Sequence, residues 1–162
     1  MADSLCVEAA TEGDIKKIHQ IYAYYVENTT STFEEGAPSL LLMIERFQAI
    51  FNNDLPYIVA KKNGVVVGYA YACLYRPRHA YRYTVEESVY VDPNYVGQGI
   101  GKLLLAEIIV QCKAADKQQM IAVITGKNDS ASVKLHKKLG FTQCGVFKDV
   151  GYKFDQWLDT VM

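Results

Sequence analysis

The chain has 162 residues, half of them apolar and 22% charged, with a formal net charge of −1. That is the length and composition of a single globular domain, here residues 1–162, with a sizeable core. It excludes a broad basic field for nucleic acid or an anionic membrane, and no apolar run nears the roughly 18 residues of a membrane span.

Leu5 to Ala10 reads as a short strand. Thr11, with Asp14 three residues on, caps a helix whose apolar stripe is Ile15, Ile18, Tyr22, Tyr25 and Val26. "ENTTSTFEEGAPS" ends that helix, and Ser39 caps a second one through about Phe51. In "YIVAKKNGVVVGYAYACLY", Asn63-Gly64 separates two β-rich runs, a strong hairpin signal. The loop "RPRHAYRY" leads into the strand "TVEESVYV", then a glycine segment and a helix to about Ala115. "MIAVIT" is a short strand, Ser132 to Leu139 a helix stopped by Gly140, and "FTQCGVFKDVGYKFDQWLDTVM" holds two more strands. The order βααβββαβαββ predicts an α/β fold: a central mixed sheet of six to seven strands flanked by about four helices on both faces.

Cys6, Cys73, Cys112 and Cys144 form no Cys-x-x-Cys pair, and no His pair complements them, so no metal is expected. Scattered thiols beside a real core suit a reducing compartment, and the start "MADSLCVEAA" has no signal pattern, so a cytoplasmic location is expected.

Gly97, Gly99 and Gly101 stand at the mouth of a helix. Glycine lets backbone N–H groups approach a ligand closely, and a helix N-terminus favours negative charge, so the segment reads as a phosphate cradle. The ordinary alternative is a flexible turn. The dinucleotide fingerprint fails because Lys102 occupies its third glycine position; the Walker loop fails at Val96 and Leu103.

"VYVDPNYVGQGIGKLLL" resembles the acetyl-coenzyme A loop of the GCN5-related N-acetyltransferases, with Val96-Gly97-Gln98-Gly99-Ile100-Gly101 in place of Arg/Gln-x-x-Gly-x-Gly/Ala and Lys102 following. Val96 departs from that pattern, and one side-chain contact goes with it. "KNDSASVKLHKKLGF" is similar to the family's later motif, with Ser132 and His136 in place; either Asn128 or Asp129 fills its asparagine position. "YYVENTTSTFEE", "AYACLYRPRHAYRYTVEESVYV" and "GYKFDQWLDTV" narrow the resemblance to the phosphinothricin and methionine-sulfoximine acetyltransferases. Family members run on past the Trp-x-Asp motif near Trp157, so the last strand is expected to be short.

The resemblance implies direct acetyl transfer from acetyl-coenzyme A to the α-amino group of a small amino acid or analogue, in a homodimer, with no metal, nucleic acid or membrane involved. It assigns coenzyme contacts to Val89, Tyr90, Val91, the glycine loop and Ser132. Glu86 matches the family's Thr-x-Glu glutamate and is the candidate base; alternation puts Glu87 on the opposite face. His136 is the candidate acid toward the leaving thiolate. Arg76, Arg78 and Tyr81, with Thr30 and Phe33, are candidates for the substrate pocket, since arginine forks fit carboxylates. The ordinary fates of these residues are solvated charges and core packing. Acetylation of a protein amine and an idle acyl-coenzyme A sensor are the alternative functions.

Overall fold

The computed structural model describes residues 4–127 and 130–162. In chain order it contains β1 (Leu5–Ala9), α1 (Ile15–Asn28), α2 (Leu40–Phe51), β2 (Tyr57–Lys62), β3 (Val65–Leu74), β4 (Thr84–Val91), α3 (Ile100–Ala114), β5 (Gln119–Ala122), β6 (Ile124–Thr125), α4 (Ala131–Lys138), β7 (Val146–Lys153) and β8 (Gln156–Val161). Among the described residues no helix is long and apolar enough to cross a membrane.

Local chemistry places the elements. Asp14 Oδ2 accepts from both the N–H and the hydroxyl of Thr11, and a short 3₁₀ turn, Glu12–Asp14, feeds α1. Ser39 Oγ accepts from the Leu42 N–H and starts α2. Asn63 and Gly64 both take positive φ, the conformation of a two-residue hairpin between β2 and β3. Ser130 caps α4: its hydroxyl accepts from the Val133 N–H, so the helix begins a residue earlier than its sequence pattern predicts.

The predicted single sheet is divided. One sheet has the order β1-β2-β3-β4-β5; a second has β6-β8-β7. All pairs are antiparallel except β4 with β5. The cause is a break at Val123 in the expected strand "MIAVIT". Residues before the break pair with β4, and residues after it pair with β8. β8 lies between β6, which pairs with its last two residues, and β7.

The larger sheet is covered on both faces. Ile15, Ile18, Ile21 and Val26 of α1 and Met43, Phe47 and Ile50 of α2 are buried, as are Ile100, Leu104, Leu105 and Ile108 of α3. Each such side chain contributes roughly 1.5–3 kcal/mol by leaving water. β3 presents Gly68, Ala70 and Ala72 to α3, small residues that let the helix approach closely. A Cβ on Gly68 would fall 3.0 Å from Leu104 Cδ1 and 3.0 Å from the Tyr90 carbonyl. The alternate residues Tyr69, Tyr71 and Cys73 face the other way, toward α1 and α2.

Candidate active site

Three features meet around β4. The first is a fork. β4 pairs with β5 only from Thr84 to Glu87, whereas it pairs with β3 up to Val91. Among the described residues no strand covers Ser88–Val91 on the β5 side, so backbone groups of that edge, the Val91 carbonyl excepted, are open to a ligand.

The second is the glycine loop at the head of the fork. Gly97 and Gly99 have φ of +82° and +81°, and nothing lies within 4 Å of where a Cβ would stand on either. Gly99 is the N-cap of α3. The loop therefore turns in the left-handed region and presents backbone beside a helix N-terminus, with free space above it. Gly101 plays a different part. A Cβ there would lie 3.6 Å from both Val91 and Leu135, so α3, β4 and α4 converge at this point. Asp92 braces the strand-to-loop corner. It is buried, accepts from the Asn94 N–H, and forms a 2.7 Å ion pair with Lys17 of α1. Burial raises its pKa, but Lys17 and the Asn94 bonds outweigh that and leave it below the usual range. Tyr25 donates its hydroxyl to the Val91 carbonyl at 2.6 Å.

These features fit an extended pyrophosphate ligand with an amide-bearing arm, which is what acetyl-coenzyme A offers: backbone donors for phosphates and an open strand edge for the arm. Replacing Gly99 by Ala is expected to weaken coenzyme A binding about tenfold or more. A left-handed alanine costs roughly 1–2 kcal/mol, and the methyl enters the cradle. Isothermal titration calorimetry checks this, and unchanged affinity would show that the phosphates bind elsewhere.

The third feature is a pocket of about 390 Å³ on the α1–α2 face, walled by Tyr22, Tyr57, Tyr69, Tyr71, Met43, Ile50 and Cys73, with Glu34 and Arg46 at one side. The Tyr57, Tyr69 and Tyr71 rings stack in parallel, 5.1–6.4 Å apart. Glu34 and Arg46 form a 2.7 Å ion pair. Glu86 lies directly across from Cys73 in the β3–β4 register and is half-buried. Burial, then the neighbouring Glu87 charge, raise its pKa above the usual carboxylate value. Burial likewise pushes the Cys73 thiol to about 11, so it is a poor nucleophile at neutral pH.

Glu87, on the opposite face, is 6% exposed and meets His136, also 6% exposed, at 2.7 Å from Oε1 to Nε2. His136 Nδ1 lies 2.7 Å from the Ser132 carbonyl, which can only accept, so Nδ1 carries a proton. The carboxylate and Nε2 share a further proton. Burial alone would lower the His136 pKa; the hydrogen bond and charge of Glu87 more than offset it, and the net shift is upward. Among the described residues Glu87 Oε2 has no hydrogen-bond partner. The pair sits at the crotch of the fork, since Glu87 is the last residue of β4 paired with β5.

The structure places Glu86 near the start of β4 and Val89, Tyr90 and Val91 at its end, where the residues from Val96 to Lys102 follow, with His136 and Ser132 on α4. Asn128 and Asp129 lie outside the described residues. Arg76, Arg78 and Tyr81 occupy the β3–β4 connection, outside the tyrosine pocket. Arg76 stacks on Tyr75, whose ring meets Tyr81 edge-on. Thr30 is half-buried beyond α1, and Phe33 lies across Gly151 of β7. Sequence reasoning missed Glu34, Arg46, the tyrosine wall and the Glu87–His136 pair. The alternation of Tyr69, Tyr71 and Cys73 was the available signal for the wall.

A fork in a mixed sheet, a left-handed glycine loop at its head and a half-buried carboxylate beside a small pocket together describe a coenzyme A-dependent acyltransferase. The chain matches the acetyltransferase (GNAT) family over residues 18–141. It is 43% identical over 156 residues to a phosphinothricin N-acetyltransferase of Alcaligenes faecalis, covering 96% of this chain and 79% of that one. It is 35% identical over 155 residues to the L-methionine sulfoximine/L-methionine sulfone acetyltransferase of Salmonella typhimurium, covering 96% and 90%. The crystal structure of a GNAT superfamily phosphinothricin acetyltransferase from Sinorhizobium meliloti in complex with AcCoA superposes with a TM-score of 0.93 at 44% identity, covering 97% of this chain and 85% of that one. The chain belongs to the GNAT family, and it is an N-acetyltransferase.

Proposed function

We propose that the chain transfers the acetyl group of acetyl-coenzyme A directly to the α-amino group of a small amino acid or analogue, of the phosphinothricin, methionine sulfoximine or methionine sulfone type. The observation that carries this reading is the juxtaposition of a tyrosine-walled pocket with Glu86 at the edge of the fork. The named relatives act on such compounds.

Glu86 takes a proton from the ammonium, directly or through a water. The amine nitrogen attacks the thioester carbonyl, the C–S bond breaks, and the thiolate leaves and is protonated. A backbone N–H of Val89–Val91 faces the developing oxyanion. His136 is the proton donor toward the thiolate side; to serve, its ring must release a contact with Glu87 or the Ser132 carbonyl. The raised Cys73 pKa speaks against an acyl-cysteine intermediate and for a ternary complex. Arg76, Arg78 and Tyr81, on the exposed β3–β4 connection, are proposed to meet the substrate carboxylate from outside the tyrosine pocket, and Thr30 and Phe33 to meet the substrate from the segment after α1. Asn128 or Asp129 and Ser132 complete the coenzyme contacts.

We place the chain in the cytosol as a homodimer. Its four cysteines are free, and Phe147, Tyr152, Phe154 and Trp157 are exposed on the β7–β8 hairpin. Sedimentation would test the dimer.

The test of function is thiol release from acetyl-coenzyme A against amino acids, their sulfone, sulfoximine and phosphinic analogues, and peptides. A rate confined to one or a few small amino acids is expected. Turnover of peptides alone would move the assignment to a protein amine, and coenzyme A binding without any turnover would indicate a sensor.

A further inference from the structure

Lys153, in the last position of β7, is 1% exposed, and its ammonium is turned inward. Nζ donates to the Val26 carbonyl at 2.7 Å and to the Thr32 carbonyl at 2.9 Å. Val26 lies in the last turn of α1, where carbonyls lack partners within the helix and a cation is favoured. Thr32 lies in the segment between α1 and α2. One ammonium therefore fixes the distance between the end of a helix and the loop that leaves it.

Gly151 makes a second contact on the same loop. The Phe33 ring lies against it so closely that a Cβ would fall 2.1 Å from Phe33 Cε1. The same loop contributes to the tyrosine pocket. Thr32 Oγ1 lies 3.1 Å from the Tyr22 hydroxyl, and Glu34 binds Arg46. Tyr22, Glu34 and Arg46 all line that pocket. The hairpin thus holds the backbone of a segment whose Glu34 lines the pocket. A buried ammonium is costly to desolvate, and an apolar side chain of similar length would fill the niche without that cost. What the ammonium adds is a simultaneous hold on two carbonyls.

We infer that Lys153, with Gly151 beneath Phe33, is a positioning residue for the acceptor pocket: it sets affinity for the amino-acid substrate without touching it. The inference rests on the reading of that pocket as the acceptor site. It gives the terminal hairpin a part in substrate recognition, separate from the glycine loop that follows β4.

The experiment uses the full chain with Lys153→Met, Lys153→Arg and Gly151→Ala. Three quantities are read: the amino-acid KM with the best substrate of the panel, the Kd for coenzyme A, and backbone hydrogen exchange over residues 26–36. For Lys153→Met the KM is expected to rise about tenfold or more, as a small displacement of a binding group produces. Exchange over 26–36 speeds up, and coenzyme A affinity stays unchanged. Gly151→Ala moves KM the same way through Phe33, and it carries the test if Lys153→Met does not fold. Lys153→Arg, which keeps the charge and donors, recovers part of the loss. Unchanged exchange over 26–36 overturns the clamp. Faster exchange with an unchanged KM overturns the positioning role. A wild type inactive toward every amino acid removes the acceptor-site reading and this role with it, while the exchange result still separates the clamp from the pocket.

Discussion

Replacing Glu86 by Gln is expected to lower kcat/KM by about 10²- to 10³-fold, the usual worth of a positioned general base. The change keeps the shape of the side chain and its place opposite Cys73, so coenzyme A affinity should not move. The pH profile makes the test specific. Glu86 must be ionised to accept a proton, so activity falls as pH drops through its pKa. Burial and the adjacent Glu87 charge raise that pKa, so the acid limb of the wild-type profile lies above the ordinary carboxylate range. In Glu86→Gln the limb should vanish along with most of the rate. A mutant with the wild-type rate and an intact acid limb would place the base elsewhere in the pocket, and Glu34 is the next carboxylate to test.

Removing Glu87 should have the largest effect on stability. Glu87→Ala breaks a buried 2.7 Å pair and leaves His136 Nε2 facing a cavity. Breaking such a pair from one side costs about 3–5 kcal/mol. At roughly 2–4 °C per kcal/mol for a chain of this size, the expected fall in Tm is about 6–20 °C. The pH dependence follows from the His136 shift. Its pKa is higher in the folded protein than in an unfolded chain. Its contribution is therefore full below about 6.5, the unperturbed value, and is lost as pH rises through the raised folded value. The gap in Tm between wild type and mutant should narrow with rising pH. A gap of under a degree at pH 6 would show that the pair contributes little. The double substitution Glu87→Leu/His136→Phe, which removes both polar partners, should recover much of the loss.

Much of this architecture is legible in the sequence because its signals are local. Asn63-Gly64 fixes a hairpin through positive φ, Ser39 fixes a helix start through one hydroxyl, and Gly140 ends α4 in the left-handed region. The division into two sheets was not legible. It depends on a single irregular residue, Val123, and on which strand each half of an apolar run finds as a partner. Nothing in "MIAVIT" states that choice.

The same divide runs through the site. Period-two alternation separates Glu86 from Glu87 without any structure, and the glycine spacing marks the cradle. The partner of Glu87 comes from a helix 49 residues away, and Lys153 reaches carbonyls 127 and 121 residues away. Contacts of that range leave no periodicity to read. A lysine in a strand pattern, "GYKF", looks like any solvated charge until the loop it holds is in place.

The fork bears on solubility as well as on binding. An open strand edge is a template for a foreign strand and so for aggregation. Here the open stretch runs only from Ser88 to Val91 before Asp92 and Pro93, short of the five or six residues of a typical strand, and proline cannot extend the ladder. The Val91 carbonyl is already spent on Tyr25. A stretch this brief gives an intruding chain little to pair with, yet it suffices for a slender ligand carrying a few amides. The length of the gap is what separates the two kinds of visitor.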